Sequence, residues 1–298
     1  MKVLLTGAAG QLGQALVAAA PPNVELIATS RSELDLADAM ACRNAVRQHR
    51  PDWVLNAGAY TAVDQAEREP ELALAVNAGA PKAFADALRD SGGQLLQLST
   101  DFVFDGSQGS PYRVDQARNP LGVYGVTKAK GEDAIEQTLG SEGTAVILRT
   151  SWVIGPVGRN FALTMLRLHR DREELGVVAD QVGCPTSTLT LATACWRILD
   201  QKARTDLPPV LHWSDAGAAS WYDVSVAVGE LGQELGLVKQ PALVQPIATA
   251  DYPTPAQRPA YSLLDCVNSR IALGLSGQHW RSSLRQILQV IPPSSLKS

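Results

Sequence analysis

The feature that most constrains the fold is a glycine triplet near the N-terminus. Gly7, Gly10 and Gly13 form a GxxGxxG pattern that follows a short apolar run, KVLL, and opens a helical pattern, QALVAAA. Glycines at this spacing allow a tight turn from strand to helix, and the backbone N–H groups at the head of the helix can bind a pyrophosphate. The triplet alone is weak evidence, but its place between a strand and a helix predicts a dinucleotide-binding βαβ unit.

Strand-like and helical patterns alternate through the first half of the chain. The apolar runs that predict further strands are VELIAT, DWVLNAG, QLLQLST and TAVILRTSW. The helical patterns between them lie near residues 38–49, 71–91 and 123–139. Such alternation is typical of the α/β class, with a doubly wound parallel (Rossmann) sheet and right-handed crossovers.

The alternation fades after Trp152, where tryptophan-rich and proline-rich loops take over. We therefore predict an NADP-binding Rossmann domain over residues 1–152. Residues 153–298 are expected to form mainly a smaller, partly interleaved substrate-binding domain. Helices from about 160–172 and 187–235 are expected to return to the first domain.

Composition excludes several classes of protein. The 298-residue chain has a net charge of -4 and a pI near 5.6, without the basic footprint of a nucleic-acid binder. No apolar run reaches the roughly 18 to 20 residues of a membrane span, and the N-terminal run is too short for a signal peptide, so a cytoplasmic protein is expected. The cysteines and histidines are scattered without CxxC, HxxxH or HExxH spacing, so neither disulfides nor a metal site are expected.

The end of the second predicted strand is where a Rossmann domain selects between NAD and NADP. An acidic residue there accepts a hydrogen bond from the ribose 2′-hydroxyl and repels a 2′-phosphate. This chain has Ser30 and Arg31 instead, and a guanidinium forms charge-assisted hydrogen bonds with phosphate. NADPH is therefore the predicted cofactor, with NADH as a second donor. The alternative is that Arg31 is an ordinary solvated surface residue.

Two further segments are expected to line the cofactor groove. Asp35 and Leu36, in SELDLAD, are placed near the adenine, with helix capping by Asp35 as the competing explanation. The third strand ends in NAGAYTAVDQAE, and small residues at the carboxyl end of a strand let a cofactor approach the backbone. Ala59, Tyr60 and Thr61 are therefore candidates for cofactor contact.

A hydroxyl, a phenol and an ammonium could together support ketone reduction. The fourth strand runs into QLSTDFVFDG and puts Thr100 at the rim of the sheet. Tyr124 and Lys128, four residues apart, share one helix face, although such pairs also occur by chance. Thr100 can hold the carbonyl oxygen and Tyr124, beside the cofactor, can donate the proton. Lys128 can hydrogen-bond the nicotinamide ribose and, aided by the charge of the oxidised nicotinamide, lower the pKa of the phenol. Lowering that pKa from about 10 to near 7 requires roughly 4 kcal/mol of preferential phenolate stabilisation.

The motifs resemble a known superfamily. YxxxK, an upstream Ser or Thr at a strand end and an N-terminal GxxGxxG are similar to the extended short-chain dehydrogenases/reductases. Within it, the chain resembles the dTDP-4-dehydrorhamnose reductase family along nearly its whole length, through STDFVFDG, NPLGVYGVTKAKGE, LRTSWVIG, NFALTMLRL, VVADQVGCPT and YPTPAQRPAYS. The resemblance implies reduction of the C4 ketone of dTDP-4-dehydro-L-rhamnose to dTDP-L-rhamnose, a step of carbohydrate biosynthesis, with NADPH or NADH as donor.

Matched residue by residue, the resemblance assigns three sets of positions. The catalytic triad matches Thr100, Tyr124 and Lys128. The pyrophosphate turn matches Gly10, Gln11 and Leu12, and the cofactor-lining positions match Ala59, Tyr60, Thr61 and Leu98. The substrate contacts match Thr100, Asp101 and Trp152. An indole can stack on an apolar sugar face, with core packing of Trp152 as the alternative. Arg258, in QRPAYS, is expected to bind the substrate diphosphate, with a structural salt bridge as the alternative.

The chain departs from the family pattern at two positions. Some members have a glutamate two residues after the last glycine of the turn, where it serves a magnesium-bridged dimer. Ala15 stands there and cannot bind a metal, so that dimer is not expected and the chain is predicted to be a monomer or weak dimer. Val182 replaces an aromatic residue often seen in the DQxGxPT loop, which leaves the exact sugar open.

Two other functions stay open on the sequence. One is a reductase or epimerase of another nucleotide sugar, which would keep the triad and change the loops after Trp152. The other is a noncatalytic NADP-binding regulatory subunit of the same fold, since an intact triad does not by itself show turnover.

Overall fold

A computed structural model describes residues 1–202 and 207–291 of the chain. Its strands are β1 Lys2–Thr6, β2 Glu25–Thr29, β3 Trp53–Asn56, β4 Gln94–Thr100, β5 Ala145–Thr150, β6 Val153–Ile154, β7 Glu174–Val178, β8 Val182–Gly183, β9 Thr186–Ser187, β10 Val210–Trp213, β11 Ala219–Ser220 and β12 Leu243–Ile247. Its α-helices are α1 Gln11–Ala18, α2 Ala39–His49, α3 Val63–Ala66, α4 Pro70–Leu74, α5 Ala80–Ser91, α6 Val123–Leu139, α7 Phe161–Asp171, α8 Thr188–Lys202, α9 Trp221–Glu234, α10 Val267–Leu273 and α11 Trp280–Gln289. A π-helical turn, Ala75–Gly79, joins α4 to α5.

Six strands form one parallel sheet in the order β10-β5-β4-β3-β1-β2. The register places Thr6 of β1 opposite Thr29 of β2 and Asn56 of β3, so these three strands end level with one another. Thr100 of β4 is likewise opposite Thr150 of β5. Three two-stranded sheets, β11-β8, β12-β7 and β6-β9, lie in the second half of the chain. The predicted doubly wound parallel sheet is confirmed.

Apolar layers cover both faces of the sheet. On one face α1 and α8 pack against β1 and β5, through Leu12, Leu16, Leu191, Ile198 and Leu148 among others. On the other face α2, α5 and α6 supply Val46, Phe84, Leu88 and Ile135 among others. Burial of each such side chain contributes about 1.5 to 3 kcal/mol, so these layers hold the helices firmly against the sheet.

The second half of the chain divides its packing between the sheet and a separate cluster. Strand β10 joins the sheet beside β5, and α8 packs on α1. Helices α7, α9 and α11 pack together instead, through Leu166, Val228 and Leu284. Of the segments expected to return to the first domain, α8 thus packs on α1, whereas α7 and α9 pack in the separate cluster. The domain division at residue 152 stays a prediction.

All four cysteines are buried and free, and burial raises the pKa of the Cys42 thiol to about 12.

Across residues 1–202 and 207–291, the structure has no helix that is both long enough and apolar enough to span a bilayer.

Helix α6 sits deeply against the π-helical turn because glycine faces it. A Cβ on Gly131 would lie 2.2 Å from the carbonyl oxygen of Asn77, closer than real Cβ atoms come. The buried Asn77 side chain accepts a hydrogen bond from the N–H of Tyr60 at 2.9 Å and donates to the Tyr60 carbonyl at 3.1 Å. It also donates to Oγ1 of Thr127 at 3.2 Å. The turn thus joins the loop after β3 to α6, and π-helical turns are frequent at functional sites.

We predict that Gly131→Ala lowers the free energy of unfolding by about 1 to 3 kcal/mol, because its methyl group must displace a backbone carbonyl. Gly140→Ala is the matched control, since a Cβ there meets nothing within 4 Å and its φ of -61° suits alanine. Urea denaturation followed by circular dichroism measures both. Equal losses in the two variants would contradict the close contact.

Candidate active site

A buried chain of hydrogen bonds runs across the carboxyl ends of the strands. Thr6 donates to Oδ1 of Asn56 at 2.5 Å, and Asn56 donates to Oε1 of Gln97 at 2.7 Å. Gln97 and Nζ of Lys128 both donate to the carbonyl of Leu98, at 2.7 Å and 2.6 Å. These contacts satisfy polar groups that burial would otherwise penalise. Asn56 and Gln97 were not predicted, although polar residues inside otherwise apolar strands indicate such buried hydrogen bonds.

The glycine turn after β1 leaves the head of α1 open to an anion. Gly7 has a φ of +69°, and a Cβ on Gly13 would lie 2.1 Å from the Gly7 carbonyl oxygen, so the turn needs both glycines. A Cβ on Gly10 would meet little besides that oxygen, at 3.2 Å. Among the described residues no side chain caps α1, and its first turn has no acidic residue. This arrangement fits a dinucleotide pyrophosphate.

The side chains of Gln11 and Leu12 are engaged elsewhere. Gln11 donates to the carbonyl of Val153 at 3.1 Å and accepts from Asn160 at 3.2 Å, so it ties α1 to the segment after β5. Leu12 is buried in the core of the sheet. These two residues can therefore contact a cofactor through their backbone atoms, and Gln11 can also do so through the rest of its side chain.

A pocket of about 120 Å³ opens beside the glycine turn. It is lined by Gly7, Arg31, Leu34, Asp35, Leu36, Ala59, Tyr60, Leu72 and Val76. The structure thus brings together six residues predicted to bind cofactor, and its apolar members suit the flat face of an adenine. Thr61 is exposed and Leu98 is buried, and neither belongs to this lining.

Asp35, which lines this pocket, and Ser30, which does not, make local hydrogen bonds. Asp35 accepts from the N–H of Ala37 at 3.0 Å, and Asp38 caps α2, so the alternative that Asp35 caps that helix is wrong. Ser30 donates to the carboxylate of Glu33. The turn after β2 therefore carries acidic as well as basic groups.

Thr100, Asp101 and Tyr124 meet where β4 ends. The Thr100 hydroxyl donates to Oδ1 of Asp101 at 3.0 Å and accepts from the N–H of Phe102 at 3.1 Å. The Tyr124 ring lies edge-on to Phe102 at 5.5 Å. Glu67 accepts from the N–H of Val123 at 2.8 Å and so fixes the start of the helix that bears Tyr124. The predicted acid and hydroxyl are thus brought to one site.

Burial governs the protonation of the two helix residues. It raises the pKa of Tyr124 to about 12, while a hydrogen bond with Thr100 acts in the opposite direction. It lowers the pKa of Lys128 to about 8, against the charge of Glu132. Both shifts arise because loss of hydration disfavours the charged forms. That Lys128, together with the charge of the oxidised nicotinamide, brings the pKa of the phenol towards 7 stays a prediction.

A buried ion network holds α6 to the sheet. Glu132, one turn beyond Lys128, accepts from Arg149 at 2.7 Å and 3.0 Å and from Arg118 at 2.8 Å. Ser99 also donates to it. Burial raises the pKa of Glu132, but the bonds and charge of Arg149 outweigh burial and keep it below its usual range. This network was not predicted, although Arg149, a charged residue inside the apolar run of β5, indicates a buried ionic partner.

Asp101 carries an unsatisfied oxygen at the centre of the site. The residue is 2 % exposed, and its Oδ2 has no aligned hydrogen-bond partner among the described residues. Burial raises the pKa of Asp101 to about 6, with the nearby hydroxyls of Ser262 and Thr100 acting in the opposite direction. A buried acceptor without a partner is costly unless a ligand supplies the donor, so Asp101 fits the predicted contact with substrate.

Trp152 follows β5 in a strained backbone conformation, with a φ of +46°. Its ring stacks on Trp221 at a centroid distance of 3.6 Å and an interplanar angle of 8°. Trp221 in turn donates to Oε1 of Gln181 at 3.2 Å. One face of Trp152 is therefore covered by protein, and the predicted stacking on a sugar would need its other face or its edge. Strain of this kind is concentrated at functional sites.

A cleft of about 460 Å³ lies beside Trp221 and Arg258, which both line it. Its lining residues are Phe161, Thr164, Met165, Leu168, Gly176, Val177, Val178, Gln181, Trp221, Tyr252, Thr254 and Arg258. Arg258 forms a two-pronged ion pair with Asp64, at 2.8 Å and 3.1 Å, and this contact holds the pKa of Asp64 below its usual range. The structural salt bridge is thus present, and a role of Arg258 in binding diphosphate stays a prediction.

The raised pKa of Asp101 makes stability depend on pH. Its pKa is higher in the folded chain than the ordinary 3.8, so the folded state loses stability as the pH rises from about 4 to above 6. We predict that Asp101→Asn gains about 1 to 3 kcal/mol of unfolding free energy relative to the wild type over that range. Urea denaturation at several pH values measures this difference.

Asp105→Asn is the matched control for that measurement. Hydrogen bonds from Ser107, Asn119 and Tyr112 hold the pKa of Asp105 well below its usual range, so relative to the wild type this variant should lose stability as the pH rises towards about 4 and stay nearly constant from there to above 6. The same trend in both variants would contradict the assignment of the two carboxyl groups.

Comparison with known proteins identifies a family of similar chains. The family model described as RmlD substrate binding domain matches residues 1–292. A dTDP-4-dehydrorhamnose reductase from Sinorhizobium fredii is 38% identical over 292 residues, which cover 97% of each chain. A probable dTDP-4,6-dihydroxy-2-methyloxan-3-one 4-ketoreductase from Streptomyces antibioticus is 40% identical over 289 residues, covering 96% of this chain and 94% of the relative.

A solved structure is similar over the same length. The dTDP-4-dehydrorhamnose reductase from Bacillus anthracis, crystallised in complex with NADP, superposes with a TM-score of 0.87 at 31% identity. The superposition covers 96% of this chain and 98% of that one. The similarity therefore extends over the sheet, the glycine turn and the second half of the chain together.

Proposed function

The chain belongs to the RmlD substrate-binding-domain family, as its motifs predicted, and on that premise we propose that it reduces the C4 ketone of dTDP-4-dehydro-L-rhamnose to dTDP-L-rhamnose. NADPH is the proposed hydride donor, because the glycine turn and adjoining pocket fit a dinucleotide and the similar Bacillus anthracis enzyme was crystallised with NADP. The predicted enzyme class, an NAD(P)H-dependent oxidoreductase, agrees with the names of the relatives.

One juxtaposition supports this function best. The buried hydroxyl of Thr100 lies next to the phenol of Tyr124, beside the unsatisfied oxygen of Asp101. A carbonyl that enters this site meets a donor for its oxygen and a protonated acid, and a neighbouring sugar hydroxyl meets an acceptor. Those are the contacts that reduction of a sugar ketone requires.

The protonation states suit the proposed roles. When bound, NADPH supplies the hydride that reduces the carbonyl carbon. Tyr124 keeps its proton at neutral pH because burial raises its pKa to about 12, so it can give that proton to the carbonyl oxygen as negative charge develops there. Thr100 holds the same oxygen by a hydrogen bond once its hydroxyl proton turns away from Asp101. The Lys128 ammonium, one helical turn away, stabilises the phenolate that remains.

The nucleotide part of the substrate is assigned to the cleft lined by Trp221 and Arg258. Its apolar side chains suit a base, and a guanidinium suits a diphosphate. In the free protein Asp64 holds this guanidinium. Binding of the diphosphate therefore requires Arg258 to exchange one or both of these contacts, or to bind the phosphates through its remaining N–H groups.

Tyr124→Phe tests the proposed acid. Removal of the phenolic hydroxyl should lower kcat for the ketone by about 10²-fold or more, while the Kd of NADPH stays within about twofold of the wild type. Initial rates of NADPH oxidation and a fluorescence titration measure the two quantities. Tyr112→Phe is the matched control, because Tyr112 is buried and donates to Asp105 instead, so the loss of its hydroxyl should spare kcat. Retained turnover in Tyr124→Phe would refute the role of the acid.

Product analysis tests the substrate and separates the alternatives. Incubation of the wild type with dTDP-4-dehydro-L-rhamnose and NADPH should give dTDP-L-rhamnose, identified by NMR at C4. The C4 epimer, the 6-deoxy-L-talose nucleotide, as sole product would move the assignment to another nucleotide-sugar reductase. The similarity to the Streptomyces antibioticus ketoreductase makes other dTDP-linked 4-keto sugars the relevant competitors in kcat/KM. Binding of NADPH without turnover of any of them would favour a regulatory subunit.

A further inference from the structure

A carboxylate occupies the hydrogen-bond donors at the end of β2. The N–H of Ser30 donates to Oε2 of Glu33 at 2.7 Å, and the Ser30 hydroxyl donates to the same oxygen at 2.7 Å. Ser32 lies beside them, with its Oγ 2.9 Å from the Ser30 Oγ. These bonds hold the pKa of Glu33 below its usual range, so the carboxylate is ionised at neutral pH.

This turn forms the rim of the pocket assigned to the adenosine end of the cofactor. Arg31 and Leu34, on either side of Glu33 in the chain, both line that pocket. Arg31 is exposed and forms no ion pair with a carboxylate among residues 1–202 and 207–291. The rim therefore presents one unengaged guanidinium and one carboxylate bonded to the backbone.

The two groups favour different cofactors. A 2′-phosphate carries a charge of about -1.5 to -2 near neutral pH and needs hydrogen-bond donors. Arg31 attracts it, whereas Glu33 repels it and already occupies both donors of Ser30. A ribose 2′-hydroxyl can instead donate to a carboxylate, as acidic residues near the second strand do in NAD-binding Rossmann domains.

We propose that Glu33 is a specificity-determining residue that opposes Arg31 and shifts cofactor selection from NADPH towards NADH. The inference rests on the proposed function, because it assumes that the pocket beside the glycine turn holds the adenosine end of a nicotinamide dinucleotide. It differs from the expectation from sequence, in which the strand end lacked an acidic residue. Glu33 lies three residues beyond Ser30 and reaches back to that position.

Dissociation constants of the free enzyme test the proposal without turnover. Quenching of tryptophan fluorescence gives the Kd of NADPH and of NADH for the full-length chain. In Glu33→Gln the ratio Kd(NADH)/Kd(NADPH) should rise about three- to tenfold, a range set by the modest strength of exposed charge pairs and the double charge of the phosphate. Arg31→Gln should lower the same ratio.

Glu25→Gln is the matched control. Glu25 lies at the opposite end of β2, where it pairs with Lys2 at 3.0 Å, so this variant changes the net charge equally but leaves the turn intact. Its ratio should equal that of the wild type. Raising the ionic strength from about 0.05 M to about 0.5 M should shrink the effect of Glu33→Gln, because salt screens exposed charges.

The outcomes separate this proposal from the proposed function. If Glu33→Gln weakens both cofactors equally, or leaves both constants unchanged, Glu33 merely shapes the turn and the proposal is overturned. A shift in the ratio that persists undiminished at high salt would overturn its electrostatic basis. A wild-type chain that binds neither cofactor would instead refute the reductase assignment.

Discussion

The buried ion pair between Glu132 and Arg149 is the interaction on which the site depends. A charge removed from water is tolerated inside a protein when it is paired and fully hydrogen-bonded. Glu132 meets this condition through Arg149 on β5 and Ser99 on β4, so one carboxylate joins helix α6 to two strands. Ser99 directly precedes Thr100, and Glu132 lies one turn from Lys128. The same contacts that satisfy a buried charge therefore set the relative position of the hydroxyl and the ammonium.

The site is largely shielded from solvent, and this burial decides its protonation states. Burial raises the pKa of Tyr124 to about 12 and of Asp101 to about 6, and it lowers that of Lys128 to about 8. All three changes favour neutral forms, because a low dielectric penalises each charge. The same low dielectric strengthens the interaction of any charge that develops during a reaction with the dipoles around it. The groups are thus poised for chemistry that creates charge locally and briefly.

Local patterns were enough for β1 to β5, the glycine turn and the helix face shared by Tyr124 and Lys128. A turn from strand to helix and an (i, i+4) pair are set by residues close in the chain, so spacing predicts them. The contacts of Glu132, Trp221 and Arg258 were not predicted as a set, because each joins segments far apart in sequence. Spacing placed Tyr124 and Lys128 on one helix face, but the burial that shifts their pKa values was not predicted, since spacing carries no information about hydration.

The order of elements up to Trp152, the α/β class, the glycine turn and the family followed from the amino-acid sequence, because each rests on short-range periodicity or on a motif. Folding in three dimensions decided which groups are left free and which are engaged. Asp64 holds Arg258, Trp221 covers one face of Trp152, and Glu33 occupies the donors of Ser30. The reason is physical: a side chain's charge, access and hydrogen-bonding capacity depend on the neighbours and the water that the fold leaves around it.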